Sequence, residues 1–342
     1  MADTNKKPIS WQEARLNLRE QYYKPPIILK IDDSVVCTLG NFSASAGKEK
    51  SKKTFNVSAL TASLLSGKSI LNYKPNIPTD RNKVLYIDTE QSNYHCQRVA
   101  KRIRELADTD LEELDDRLIF LALRKYTPEQ RIEIIEQAIY DNDDVFLVII
   151  DGLRDLVLDI NSPSEATKIM TKLLTWTDEM NIHIHCVLHL NKGDDNTRDH
   201  LGTELNNKSE TILQITKDAQ DKNTSIVSAK SIRDMGFDDF AFFINSDALP
   251  ELAEEYTPAD AKPFGYEELS EEQHRRALIK AFEAEETMGY KSLIDALKES
   301  YDSVTGLNMG INKVKKLKTF LQNKRMILKA EKSYRFNHEF KY

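Results

Sequence analysis

The sequence predicts an α/β fold in which a mostly parallel sheet is extended by antiparallel strands and followed by a small α+β domain. Three observations point to it. VLYID (84–88) and VFLVIID (145–151) are nearly continuous apolar runs, the pattern of strands covered on both faces. Segments with helix-start chemistry separate such runs, and strand–helix alternation implies a parallel sheet. After residue 205 the runs TILQIT, SIVSAK and DFAFFI follow one another closely across polar turns, as antiparallel strands do.

Composition sets the frame. With 342 residues, 40% hydrophobic and 30% charged, the chain reads as a soluble globular protein of one large domain plus a small one. No apolar run approaches the roughly 20 residues that span a membrane. The polar N-terminus lacks an apolar signal core, so cytoplasmic residence without membrane contact is expected. Cys37, Cys96 and Cys186 are odd in number and far apart, which argues against a disulfide framework or a CxxC metal site. The net charge of -7 hides an asymmetry: residues 306–342 balance at +8, leaving -15 on the rest. Nucleic-acid contact outside the main domain is therefore expected in that basic tail.

Taken in order, residues 1–29 are expected to form a helical arm and 30–249 the main domain. VVCTL (35–39) reads as a strand, then FNVSALTASLLSG as a helix, VLYID as a strand and LIFLAL (118–123) as another. Thr127-Pro128-Glu129-Gln130 and Ser162-Pro163-Ser164-Glu165 each place a hydroxyl at the N-cap, Pro in the first turn and Gln or Glu three residues on. IHIHCVL (182–188) supplies a further strand. The stretch 250–272 carries three prolines and eight acidic residues against one lysine, so an acidic linker is expected over 250–269. Ser270 then opens a helix with Ala277, Leu278, Ala281 and Phe282 on one face; helices near 290–301 and 311–323 and the alternating run RMILKAEKSYRF follow. Three helices and a hairpin over 270–342 make a winged-helix-like basic domain.

GKEKSKKT (47–54) matches the phosphate-loop pattern G-x-x-x-x-G-K-[ST] except that Lys52 stands at the second glycine. A strand before it and a helix after it would aim backbone N–H groups and the positive helix end at an anion. The expected ATP site spans Gly47, Lys48, Glu49, Lys50, Ser51, Lys52, Lys53, Thr54 and Phe55. Lys53 would reach the terminal phosphates and Thr54 would hold Mg²⁺. Glycine normally takes backbone angles closed to other residues at the position of Lys52, so that lysine must tolerate them or the loop must differ. Glu90, two residues past the strand-ending Asp88, would orient the attacking water. Asp151, after six apolar residues, would orient the hydration shell of Mg²⁺.

The order GKEKSKKT, ALTASLLSGK, VLYIDTE, FLVIIDGL and VLHLNK resembles the RecA-type P-loop ATPase core over about residues 30–248. Within it the likeness is to the hexameric helicase branch, the DnaB-like and plasmid RepA-like proteins. The resemblance implies ATP hydrolysis at subunit interfaces of a homo-oligomer, with a hexamer favoured and central loops on single-stranded DNA. It makes His189, where DnaB-like proteins usually carry glutamine, the γ-phosphate sensor. Lys230 and Arg233 match the basic residues that reach a neighbour's nucleotide, with spacing one longer than usual. Arg154, Lys192 and Arg198 match the strand-contacting loops, and Lys313, Lys315, Lys316 and Lys318 are candidates for duplex contact in the tail.

Other candidates are set aside. His183 and His185 would share one strand face, but no Cys or carboxylate joins them or His189 at a usual zinc spacing. Trp176, Tyr301, Phe320, Tyr334 and Phe336 read as core. The function expected is an ATPase acting on DNA, a helicase-like motor or a replication or mobilisation factor of a mobile element. The alternatives are a nucleotide-gated loader with little hydrolysis and a DNA-binding regulator with a vestigial site.

Overall fold

The first two apolar runs pair with each other rather than with the main sheet. In the computed structural model, β1 (Ile27–Ile31) and β2 (Ser34–Thr38) are antiparallel. The chain then turns at Gly40, whose φ of 76° suits glycine, into β3 (Phe42–Gly47) and helix α1 (Lys53–Ser66). β4 (Tyr73–Pro75) pairs with β1 and completes a small sheet of order β2-β1-β4. VVCTL is thus not the strand that feeds the phosphate loop, contrary to expectation; FSASAG is. Its small side chains carry little strand propensity, and burial of all six between two neighbouring strands makes it one.

The structure describes residues 10–12, 14–190, 200–218, 221–253, 256, 266, 269–305, 309–330 and 333–340. The chain divides into two compact units, Met1–Tyr256 and Thr257–Tyr342. In the described part of the arm, residues 10–26 are turns and irregular chain rather than a helix. Trp11, Leu18 and Tyr23 there are exposed, and a short helix with no buried face is marginal in water.

The first unit continues with β5 (Lys83–Asp88), α2 (Asn93–Ala107), α3 (Leu111–Arg117) and β6 (Leu118–Ala122). Then come α4 (Pro128–Tyr140), β7 (Val145–Asp151), α5 (Pro163–Met180) and β8 (His183–His189). α6 (His200–Lys208), β9 (Thr211–Lys217), β10 (Thr224–Ile232), β11 (Phe240–Ile244) and β12 (Pro250–Leu252) complete it. The main sheet has the order β12-β11-β10-β9-β3-β8-β7-β5-β6. From β9 to β6 all pairings are parallel, and β10 to β12 add the antiparallel extension. TILQIT therefore belongs to the parallel part, and Pro250–Leu252, read as linker, is a sheet strand.

Helices cover both faces. Phe146, Leu147 and Ile149 of β7 join a core with Leu60, Leu64, Val99 and Ile103 from α1 and α2. Val145, Val148 and Ile150 join the opposite core with Ile135, Ile139, Leu173 and Trp176 from α4 and α5. Each such side chain contributes roughly 1.5–3 kcal/mol by leaving water. Local chemistry starts the helices as expected: Thr127 and Gln130 form a capping box, and Ser162 accepts from the Glu165 N–H.

The second unit has its own core, with Leu278, Leu293, Leu297, Tyr301, Val314, Leu317 and Tyr334. Its order is α7 (Glu271–Ala281), β13 (Thr287–Gly289), α8 (Tyr290–Thr305), α9 (Ile311–Asn323), β14 (Ile327–Ala330) and β15 (Ser333–Phe336). The strands form an antiparallel sheet, β13-β15-β14. Ser270 and Gln273 build the capping box that opens α7. β13 was not foreseen, because three residues with one buried methionine carry no alternation to read.

Candidate nucleotide site

The carboxyl ends of β3, β8, β7 and β5 meet at one edge of the sheet, the place where open α/β sheets bind ligands. Gly47 ends β3 against the carbonyl of Ile215, which would stand 2.3 Å from any added Cβ. The loop then turns through Lys50 and Lys52, both in the left-handed region at φ 62° and 66°. The loop thus keeps a glycine-like conformation at Lys52 at a cost of about 1–2 kcal/mol. Lys52 Nζ donates to the carbonyl of Asn223 in the β9–β10 turn, which offsets part of that cost.

Lys53, 4% exposed, donates from Nζ to the carbonyls of Gly47 (2.8 Å) and Lys48 (2.9 Å). Burial pulls its ammonium down to about 8, against Asp151 and Glu90, which favour the charge. Thr54 Oγ1 donates to Asp151 Oδ2 at 3.2 Å, and Tyr86 donates to the same oxygen at 3.0 Å. Burial and the neighbouring Asp88 push the Asp151 carboxyl up to about 6. Ser51 is buried and its Oγ has no hydrogen-bond partner among the described residues, while Lys48, Glu49 and Lys50 are exposed.

This arrangement fits a magnesium–triphosphate. A threonine hydroxyl and a carboxylate in contact are the oxygen ligands that Mg²⁺ takes, and Ser51 Oγ is a buried polar atom still to be satisfied.

Glu90 sits beyond β5 on a braced turn. Asp88 accepts from the Glu90 N–H (3.0 Å), the Gln91 N–H (2.7 Å) and Gln91 Nε2 (2.7 Å). His189 Nε2 lies 3.3 Å from Glu90 Oε1, and its hydrogen bond holds the Glu90 carboxyl below its usual range. Thr89 Oγ1 lies within 3.1 Å of the carbonyls of Asp151 and Gly152 and 2.8 Å from Asp155 Oδ2. Gly152, at φ 109°, has Thr89 Oγ1 2.0 Å from where a Cβ would stand. Arg131 donates to the carbonyls of Leu123, Arg124, Thr89 and Asp155, tying three loop segments together.

A cavity of about 440 Å³ opens beside Lys53, Thr54 and His189. Its walls include Gln91 from the turn after β5 and His95, Arg98 and Arg102 from α2, and the Arg102 guanidinium stacks 3.6 Å from the centre of the Phe55 ring. Sequence reasoning missed these residues and Tyr86 and Arg131. The i, i+3, i+7 spacing of His95, Arg98 and Arg102 was a legible sign of one helix face.

The structure thus gathers Gly47 to Phe55, Glu90, Asp151 and His189. Arg154 lies close enough to oppose the charge on Lys53. Lys230 and Arg233 lie toward the opposite end of the sheet, since β10 runs back from the phosphate loop; Arg233 donates to the Lys208 carbonyl. Lys192 and Arg198 lie outside the described residues, as does the side chain of Lys313. In the second unit Lys315 and Lys316 are exposed, and Lys318 Nζ lies over the rings of Tyr290 (5.8 Å) and Tyr334 (5.7 Å).

His183 and His185 do share a face, as alternation requires, and Cys37, at no usual zinc spacing from them in sequence, joins them in space from β2. The long separation in sequence hid it. Burial keeps both imidazoles neutral, pulling His183 down to about 4 and His185 to about 3.

Residues 31–195 match a family model described as an AAA domain. Among solved structures, the RadB recombinase covers 61% of this chain and 90% of its own at 18% identity, with a TM-score of 0.43. The ATPase domain of G40P covers 62% of this chain and 84% of its own at 13% identity, with a TM-score of 0.45. No curated protein matches the chain. The three landmarks expected from the sequence, Lys53-Thr54, Glu90 and Asp151, all fall inside the matched segment. Among the described residues, no helix is long and apolar enough to cross a membrane.

Proposed function

We propose that the chain binds Mg-ATP at the β3–α1 loop and hydrolyses it while acting on DNA. The supporting observation is the convergence of Lys53, the Thr54–Asp151 pair and Glu90 on one sheet edge. Lys53 would neutralise the terminal phosphates, and Thr54 with Asp151 would hold Mg²⁺, which supplies further charge neutralisation when bound. Glu90, ionised and exposed, accepts the proton of the attacking water, with His189 fixing its orientation.

The acting form in this proposal is a homo-oligomer, favoured as a hexamer, in which Lys230 or Arg233 reaches the nucleotide of the adjacent subunit. Their distance from the phosphate loop of their own chain supports a role in trans. Arg154, Lys192 and Arg198 contact single-stranded DNA. The order α7-β13-α8-α9-β14-β15 supports the winged-helix reading, with α9 and its lysines on duplex DNA. We place this activity in the cytoplasm, in a helicase-like role in replication or mobilisation of a mobile element, on the likeness to plasmid RepA-like proteins.

A second reading, a nucleotide-gated loader with little hydrolysis, is favoured by Lys53 donating to its own loop's carbonyls. Steady-state ATPase rates with and without single-stranded DNA, for parent and Glu90→Gln, separate the two. Turnover that DNA stimulates and Glu90→Gln suppresses supports the motor; nucleotide binding with negligible turnover in the parent supports the loader.

A further inference from the structure

Below the phosphate loop lies a second cluster that nucleotide chemistry does not use. Cys37, His183, His185, Ser43 and Ser45 are all fully buried. The donor atoms of Cys37, His183 and His185 lie within 4.8 Å of one another. Ser43 Oγ is their common centre, 2.7 Å from His183 Nε2, 2.7 Å from His185 Nδ1 and 3.6 Å from Cys37 Sγ.

We propose that Cys37, His183 and His185 hold a thiophilic divalent metal ion of the Zn²⁺ class, with the Ser43 hydroxyl in the fourth position. One thiolate and two imidazoles suit such an ion in a tetrahedral site.

The outer atoms are arranged as ligating histidines require. His183 Nδ1 lies 2.8 Å from the Thr38 carbonyl, which can only accept. The proton therefore sits on Nδ1, and a bare Nε2 faces the centre. His185 Nδ1 faces the centre, 2.7 Å from Ser43 Oγ, and its Nε2 lies 2.8 Å from Ser45 Oγ, which can accept the ring proton when Nδ1 is bare. Outer-shell oxygens on the second ring nitrogen, such as the Thr38 carbonyl and the Ser45 hydroxyl, accompany most metal-bound imidazoles. Charge also balances. Glu210 is anchored 3.0 Å from the Thr38 N–H and 2.8 Å from its hydroxyl, close enough to act on Cys37. Binding releases the Cys37 thiol proton to solvent, and the thiolate and Glu210 together offset the two charges of the ion. Binding would need the Ser43 hydroxyl to turn out of the centre it now fills, parting from the two imidazole nitrogens, so that the ion takes its place with all four donors at about 2.0–2.3 Å.

A metal-free alternative uses the same atoms: Ser45 donates to His185, His185 to Ser43, Ser43 to His183, and His183 to Thr38. Metal content distinguishes them. The full-length chain, purified without chelator, is assayed by mass spectrometry for Zn²⁺, then stripped and titrated with Co²⁺. About one equivalent of Zn²⁺ and a thiolate-to-Co²⁺ charge-transfer band are expected. Both should be lost in Cys37→Ser, and added Zn²⁺ should raise the melting temperature of the parent alone. A folded parent with no stoichiometric metal and no thiolate band overturns the proposal, as does metal held equally well by a folded Cys37→Ser. Should that variant fail to fold, the parent's Co²⁺ spectrum decides. ATP binding plays no part in any readout, so the result is independent of the proposed function.

Discussion

His189 Nε2 lies 3.3 Å from Glu90 Oε1, and the two residues extend from β8 and β5 on either side of β7. The contact spans the strand that ends in Asp151, so Glu90, His189 and Asp151 occupy adjacent strand ends. This partner holds the Glu90 carboxyl below its usual range and so keeps it ionised.

Glu90→Gln should therefore leave nucleotide affinity nearly intact while lowering turnover by roughly 10²–10⁴-fold. Calorimetry and a phosphate-release assay on the same preparation test both halves. Equal rates for mutant and parent would remove Glu90 from the mechanism.

Asp151 carries a stability cost that its replacement should relieve. Its carboxyl titrates at about 6 in the folded chain against an ordinary value of 3.8. Between those pH values the folded state holds a proton that the unfolded state has released. Stability contributed by this group therefore falls as pH rises through the window, and the whole cost applies above it. Asp151→Asn keeps an acceptor for Tyr86 and should stabilise the nucleotide-free chain at pH 7 by about 2–3 kcal/mol. It should also abolish Mg²⁺-dependent turnover. Denaturant melts at pH 4 and pH 7 check the sign: the mutant's advantage should shrink at the lower pH.

Lys52→Gly should retain nucleotide binding and change stability by no more than about 1 kcal/mol, because relief of the left-handed strain offsets the lost contact to Asn223. Lys52→Val, β-branched at the same φ, should destabilise clearly. Paired urea titrations compare them.

Gly152→Ala places a methyl group on Thr89 Oγ1 at a backbone angle hostile to L side chains. A loss of at least ~2 kcal/mol is expected, together with slower turnover as the Glu90 turn shifts. A thermal melt and a single-turnover assay would show the two effects together.

Exposed Lys315 and Lys316 make the DNA reading of α9 testable. Replacing both by Ala should weaken duplex binding by the full chain and reduce the slope of log K against log salt by about 2. An unchanged slope assigns α9 to another partner.

What was legible in the sequence was what local chemistry dictates. Thr127 with Gln130 and Ser270 with Gln273 act within four residues, so their helix starts were visible. Asp151 was visible because a strand buried on both faces has to be apolar up to the residue that emerges from it. FSASAG was missed because its strand character comes from neighbours far along the chain. For the same reason Cys37 could not be joined to His183, nor Arg131 to the carbonyls it bonds; in both, the partners are set by tertiary packing.

The guanidinium of Arg131 gives these strand ends a shared mechanical fate. With one planar group gripping the chain after β5, after β6 and after β7, no one of these segments can be displaced without pulling on the others. A push delivered at Asp155 is thereby felt at Thr89, next door to the Glu90 carboxylate.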